Sequence, residues 1–409
     1  VTFFRKRPLL IVLFAFIFAL TACDGTPSAS TVSPPTNTAA PSVTPRPAST
    51  TPRPASPTPR PPTATTVPSV GGVTAIPVGQ GFGFRKGFWE VYFTAPTGSR
   101  DAATYVGGID EVLASRIDGV QRTLDIAAFE FNSPALTQAV IRARQRGVRV
   151  RMVTDNEHGL NGNNSTVPQL IAAGVNIVDD ARTALMHNKF MILDSQVVWT
   201  GSWNYTINDT YRNNNNAIAL RSQQAVANYQ AEFDEMFVEG LFGPSSPSQT
   251  PNPFFIQDGI GIATFFSPED DVISAIETTL SGAQQSIEFM AFSFTLDNMA
   301  AIIINRGSAG VRVRGIFERT GSETQFAELR PLRCAGLDAR QDGNVFVLHH
   351  KVFVVDEQFV LTGSFNFSAN ATNSNDENLL IINDPDLANL YSQEFERRWA
   401  ESRVPTLTC

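Results

Sequence analysis

Apolar and polar positions divide this chain into two near-copies of one pattern. Thr123 to Phe131 (TLDIAAFEF) and Ser286 to Phe294 (SIEFMAFSF) are apolar runs of strand length. Ser133 and Pro134, suited to the cap and first position of a helix, precede Leu136, Ala139, Val140 and Ala143, which share one helical face, and Gly147 ends the pattern. Gly147 to Arg151 (GVRVR) and Gly310 to Arg314 (GVRVR) then alternate as strands. Two further pairs of apolar runs, Phe190 to Leu193 with Val197 to Thr200 and Val352 to Val355 with Phe359 to Thr362, predict a strand pair in each copy. Tyr229 to Phe237 and Tyr391 to Trp399 predict a closing helix. Matched positions lie 162 or 163 residues apart. Each half therefore reads strand, helix, strand, strand pair, helix, which is an α/β pattern.

The pattern changes before residue 85. Arg5, Lys6 and Arg7 precede an apolar run from Leu9 to Leu20. Twelve residues are too few to span a bilayer, so a signal peptide over 1–22 is expected. Leu20-Thr21-Ala22-Cys23 resembles a bacterial lipobox with Cys23 as the lipidated residue. From there to residue 84 the chain is expected to be a disordered tether. Its Pro, Thr, Ala and Ser residues and the repeated Thr-Pro-Arg-Pro favour extended conformations without a core. The remaining divisions are a first half over 85–240, a linker rich in Pro and Ser over 241–256, and a second half over 257–409. The localisation this implies is an exported lipoprotein held at the membrane on its extracytoplasmic side.

Charge narrows the partners. The formal net charge is −8, and Arg5, Lys6, Arg7, Arg46, Arg53 and Arg60 outnumber Asp24 by five before residue 85, leaving −13 on the rest. That is a poor footprint for nonspecific nucleic-acid binding. Of three cysteines, Cys334 and Cys409 remain after Cys23; they either pair or stay as thiols, and no spacing suggests a metal site.

Chemistry concentrates where the copies agree. His187, Lys189 and Asp194 are followed by Thr200-Gly201-Ser202-Trp203-Asn204. His349, Lys351 and Asp356 are followed by Thr362-Gly363-Ser364-Phe365-Asn366. The chain has four histidines, and two of them occupy this H-x-K-x-x-x-x-D…T-G-S-x-N pattern. His and Lys two apart on an extended segment share a face, and the glycine permits a sharp turn that returns Ser and Asn towards them. Each half then offers an imidazole, an ammonium and an amide, a set suited to a phosphodiester.

On these residues the chain resembles the phospholipase D superfamily, whose signature is the duplicated H-x-K-x-x-x-x-D with G-S-x-N. The resemblance implies two tandem, internally duplicated α/β sandwich halves packed about a pseudo-twofold axis, with His187 and His349 meeting at one phosphate. It implies a metal-independent phosphodiesterase without cofactor, in which one imidazole forms a phosphohistidine and the other protonates the leaving alcohol. Lys189, Lys351, Asn204 and Asn366 would hold the non-bridging oxygens, with Ser202, Ser364 and Asn215 as secondary substrate contacts. In the family an acidic residue orients a histidine. Glu377, 28 residues after His349, fits that role, whereas its counterpart in the first half is Asn215. Family habit makes His187 the nucleophile and local chemistry favours His349; His187 is the reading adopted. Asp194 and Asp356 complete the motif, with a turn-forming role as the alternative. His350 alternates away from the site, and Asp155 and His158 fall at its rim. The expected substrate is a phospholipid, cleaved in the manner of phospholipase D. Nucleic acid cleaved by an endonuclease of the same superfamily is the alternative, and a phosphatidyl transferase like cardiolipin synthase is third. The internal duplication completes the site, so a monomer suffices.

Overall fold

The computed structural model describes residues 72–409. The expected signal peptide, Cys23 and most of the tether lie outside the described residues. The first half contains strands β1 (Thr74–Ile76), β2 (Gly81–Lys86), β3 (Trp89–Thr94), β4 (Thr123–Ala128), β5 (Arg149–Thr154), β6 (Asn176–Asp179), β7 (Lys189–Leu193), β8 (Val197–Gly201) and β9 (Asn216–Leu220). They form one nine-stranded sheet ordered β1-β2-β3-β9-β8-β7-β4-β5-β6. The second half contains β10 (Phe254–Gln257), β11 (Ile260–Ser267), β12 (Ser286–Ala291), β13 (Arg312–Phe317), β14 (Asp338–Gln341), β15 (Lys351–Val355), β16 (Phe359–Gly363) and β17 (Glu377–Asn383). They form an eight-stranded sheet ordered β10-β11-β17-β16-β15-β12-β13-β14. From β3 and β11 onward the two orders are the same. β4, β5 and β6 run parallel, as do β12, β13 and β14, and the motif strands join antiparallel.

Helices α1 (Ile109–Asp118), α2 (Pro134–Gln145), α3 (Val167–Ala172), α4 (Ile207–Tyr211) and α5 (Gln223–Asp234) have counterparts α6 (Val272–Ser281), α7 (Asp297–Ser308), α8 (Leu329–Cys334), α9 (Ala369–Asn373) and α10 (Pro385–Glu401). The start of α2 is as the sequence predicts: Ser133 Oγ accepts from Leu136 N, and Pro134 occupies the first turn. One apolar cluster lies outside each sheet, beneath α1 and α2 or α6 and α7. A third joins the inner faces with α5 and α10 and contains residues of both halves, such as Phe190, Tyr229, Val352 and Tyr391. Covered on both faces, β7 and β15 are buried throughout, which is why they read as unbroken apolar runs.

The halves meet reciprocally. His187 N donates to Asp376 O, and His349 N donates to Asn214 O, both at 2.9 Å. Thr200 Oγ1 donates to Asn378 Oδ1, and Asn216 Nδ2 donates to Thr362 Oγ1, again at 2.9 Å. Contacts that repeat with the halves exchanged are the mark of a twofold relation.

Two expected boundaries need correction. β1 and most of β2 lie in the stretch assigned to the tether, so the ordered body begins by Thr74; Pro77, Gly79, Gly81 and Gly83 hide a hairpin behind linker-like composition. The expected linker also contains β10, which starts at Phe254, and Gly243, whose N–H donates to Asp376 Oδ1. Cys334 and Cys409 form a disulfide that ties the C-terminus to the end of α8.

Candidate active site

Both motifs deliver their histidine immediately before a central strand. There the ends of β4 and β5, the turn after β8 and the start of β9 converge. Gly201 makes that turn at φ 141°, and a Cβ there would lie 2.5 Å from Asn216 O; Gly363, at φ 156°, is crowded in the same way by Asn378 O. The glycine brings the G-S-x-N segment against β9 or β17.

His187 and His349 are buried, and each uses Nδ1 to meet a residue of the opposite half. His187 Nδ1 lies 2.7 Å from Glu377 Oε2, which comes from the second half. His349 Nδ1 lies 3.0 Å from Asn215 Oδ1, which comes from the first. The expectation that Glu377 serves the histidine of its own half is therefore corrected: the partners cross. Crossing follows from the reciprocal backbone bonds, because Asp376 and Asn214 pair with the opposite motif and carry the next residue with them. An imidazole whose Nδ1–H donates to an acceptor presents the Nε2 lone pair to a substrate.

Ser202 and Ser364 stand behind these partners. Ser202 Oγ donates to Asn215 Oδ1 at 2.9 Å, and Ser364 Oγ donates to Glu377 Oε2 at 2.7 Å. Their hydroxyls also accept from the N–H of Asn216 and Asn378. They position the histidine partners, as Asn215 positions His349.

Lys189 and Lys351 are buried with each Nζ donating to the carbonyl of the preceding motif histidine, at 2.7 and 3.1 Å. Each ammonium also lies 4.8 Å from the centre of a phenylalanine ring, Phe129 or Phe292. The same rings meet His187 and His349 edge-on at 4.8 Å. Phe129 and Phe292 escaped the sequence reading as site residues, although AFEF and AFSF repeat in both copies. Asn204 and Asn366 leave their buried Oδ1 atoms without a hydrogen-bond partner.

Electrostatics favour an anion. Burial pushes Lys189 down to about 8, and burial with the neighbouring Lys189 lowers Lys351. Burial and then the two lysines depress both motif histidines, so they rest neutral. Burial raises Glu377 to about 7, against the pull of Lys189 and Lys351. Among the described residues neither Lys189 nor Lys351 has an ion pair with a carboxylate, and two such buried ammonium groups call for a negative guest.

Asp194 and Asp356 lie at the other end of the motif strands, away from the histidines. Asp194 accepts from the N–H groups of Gln121, Arg122 and Thr123, and Asp356 from those of Gln284, Gln285 and Ser286. Each fastens the loop entering β4 or β12 to the turn after β7 or β15. These contacts are those of the turn-forming alternative. Asp155 and Glu318 brace the other end, accepting from Met186 N and Leu348 N at 3.2 and 2.7 Å. His158 packs against Phe129 with the rings tilted by 38° and their centres 4.7 Å apart, beside a groove of about 380 Å³ lined by Glu130, Glu157 and Asn161. His350 and Asn188 turn away from the site to meet Glu394 and Glu232 at 3.2 and 2.8 Å. A carboxylate cluster, unexpected from the sequence, lies on that reverse side: Glu232, Glu235 and Glu269 offer oxygens all within 4.8 Å of one another.

The family described as Cardiolipin synthase, PLD-like domain, matches residues 113–237 and 260–399. Mitochondrial cardiolipin hydrolase of Xenopus tropicalis is 39% identical over 132 residues, 32% of this chain and 63% of that protein, so the chain spans less than two thirds of that relative's length. Phospholipase D of Rickettsia conorii is 33% identical over 141 residues, 34% of this chain and 70% of that protein. The solved phosphatidylserine synthase of Haemophilus influenzae shares the fold with TM-score 0.58 at 13% identity, over 73% of this chain and 86% of that one.

Proposed function

Because the chain belongs to the phospholipase D superfamily, we propose that it is a phosphodiesterase working through a phosphohistidine on His187. The observation that carries this assignment is the buried Glu377 carboxylate on His187 Nδ1, opposite an amide on His349 Nδ1. As His187 Nε2 attacks phosphorus, Glu377 stabilises the positive charge growing on the ring. The P–O bond to the leaving alcohol breaks, and its oxygen takes a proton from His349 Nε2. The incoming phosphodiester supplies the negative charge that lets His349 hold that proton despite burial and two lysines. In the second step His349 accepts a proton from water, the new P–O bond forms and the N–P bond breaks. Lys189, Lys351, Asn204 and Asn366 stabilise the non-bridging oxygens. No step requires a metal ion.

The substrate we infer is a phospholipid, hydrolysed to phosphatidate and a free head-group alcohol. Support comes from the names of the relatives, phospholipase D and cardiolipin hydrolase, and from the −13 charge on the body, which disfavours a polyanion. Lipidation of Cys23 after removal of 1–22 would hold an exported monomer beside that substrate at the membrane.

The test is a parallel assay of the full chain in EDTA, with phosphatidylcholine and phosphatidylethanolamine vesicles in one arm and single- and double-stranded DNA in the other. Head-group release that disappears in both His187→Ala and His349→Ala supports the lipid enzyme. DNA cleavage with intact lipid replaces it with the nuclease. Transfer of the phosphatidyl group to an added alcohol in preference to water identifies a transferase.

A further inference from the structure

The two motif histidines have unequal partners, and a second residue offsets the inequality. At the offset of 162, Glu377 corresponds to Asn215, and Ala371 corresponds to Asp209. Thus the half that lacks an acid at the histidine-facing position has gained one six residues earlier, where the other half has only a methyl group. Asp209 stands in the short helix α4, its N–H held by Thr206 Oγ1. Its side chain is 4% exposed, and Oδ2 lies 3.5 Å from His349 Nδ1 while accepting from Asn204 N at 2.9 Å. Oδ1 accepts from Asn213 Nδ2. Both oxygens act as acceptors, which is the behaviour of a carboxylate. Asn215 itself is fixed from behind, because its Nδ2 donates to Asp209 O.

We propose that Asp209 is the displaced carboxylate of His349, a positioning residue that supplies the charge while Asn215 supplies the direction. The inference rests on the reading that His349 is the proton donor. Nδ1–H points to the amide oxygen at 3.0 Å, with the carboxylate just beyond. An amide cannot offset the charge of an imidazolium; a buried carboxylate can. The other ionisable groups facing His349 are Lys351 and His350 from its own segment and Lys189 and His187 from the opposite motif. All four oppose protonation, and the carboxylate of Asp209 lies 3.5 Å from Nδ1 on the other side of the balance. Burial raises the Asp209 carboxyl, and the bonds from Asn213 and Asn204 together with the same two lysines work against that rise. The unequal arrangement also divides the labour of the histidines. His187 has a carboxylate in direct contact for attack, and His349 has one at longer range that stabilises its proton while leaving it transferable.

The experiment compares wild type, Asp209→Asn, Asp209→Ala and Asp209→Ala/Asn215→Glu in the full chain. The double variant gives the first half the arrangement found in the second. With four histidines in the chain, nitrogen NMR follows each ring, and this arm needs no substrate. Asp209→Asn is expected to lower the proton affinity of His349 about tenfold or more, with His187 unmoved, and the double variant to restore it. The kinetic arm uses phosphatidylcholine and bis(4-nitrophenyl) phosphate. The 4-nitrophenolate leaving group needs no proton, so Asp209→Asn is expected to slow phosphatidylcholine about 100-fold and the nitrophenyl diester less than about fivefold. An unchanged His349 titration, equal loss on both diesters, equal disturbance of both histidines, or a double variant no better than Asp209→Ala would each overturn the proposal. A wild type that cleaves neither diester would sink the phosphodiesterase reading, and the NMR arm would still decide the role of Asp209.

Discussion

Glu377 crosses from the second half of the chain to place Oε2 2.7 Å from Nδ1 of His187 in the first. The contact makes the candidate site a property of the packed pair of halves and gives the charged partner to His187. Ser364 Oγ fixes the same oxygen at 2.7 Å, so the carboxylate has little freedom to rotate away.

Glu377→Gln keeps the shape of that contact and removes its charge. Attack by His187 then creates an imidazolium beside a neutral amide. Turnover is expected to fall roughly 10²- to 10⁴-fold with KM little changed, because the lost interaction matters chiefly as charge develops. A variant with normal kcat and a raised KM would show that Glu377 helps bind substrate and leave His187 without its assigned partner.

His349→Ala should trap the covalent intermediate. With a 4-nitrophenyl diester the leaving group departs unassisted, but no base remains to activate water in the second step. A burst of about one equivalent of nitrophenol per chain should accompany a phosphorylated peptide containing His187. His187→Ala should give neither. Phosphate found on the His349 peptide of the His187→Ala protein, with none on His187, would reverse the assignment of roles.

Much of this arrangement is legible in the sequence. The repeated H-x-K-x-x-x-x-D and G-S-x-N mark the histidines, lysines and asparagines, and Ser133-Pro134 marks the start of α2. The crossing of Glu377 is not legible, since a repeat shows that two halves are alike without showing which face of one meets the other. The role of the serines is hidden for a related reason: chain proximity cannot say whether Ser364 points to substrate or to Glu377. Asp209 is harder still, because only its distance from His349 gives it meaning. Asp194 shows the opposite hazard, a motif residue whose recurrence belongs to the turn.

Asp194→Ala should therefore damage the fold more than the chemistry. Burial raises the carboxyl, but donors from Gln121, Arg122 and Thr123 outweigh it and hold it below the usual range. The folded value is depressed, so its contribution to stability is present above the unfolded value near 4 and is lost as pH falls through the folded one. Thermal unfolding at pH 7 should show a loss of about 2 kcal/mol, with kcat of the folded protein retained. The gap from wild type should narrow below about pH 4. A large fall in kcat without loss of stability would return Asp194 to the catalytic set.

The Glu232, Glu235 and Glu269 cluster carries the opposite sign. Burial raises all three: Glu235 to about 7, Glu269 to about 8, and Glu232 well above its ordinary value, with Glu269 adding to the effect on Glu232. The folded protein thus keeps protons that the unfolded chain releases above about pH 4.5. Wherever the folded state holds more protons, stability falls as pH rises. From these carboxyls the decline runs from about pH 4.5 and continues through the folded values near 7 and 8. The depressed histidines act oppositely below about pH 6.5, and Asp376 and Glu377, each raised by burial to about 7, act in the same direction as the cluster. The informative quantity is therefore the difference between wild type and Glu269→Gln across pH 6 to 9. Removing one ionisable group should leave the variant less sensitive to alkali, its melting temperature gaining a few degrees on wild type by pH 9. Parallel curves for the two proteins would mean that Glu269 takes up no extra proton on folding, and the cluster would then owe its compactness to something other than shared protons.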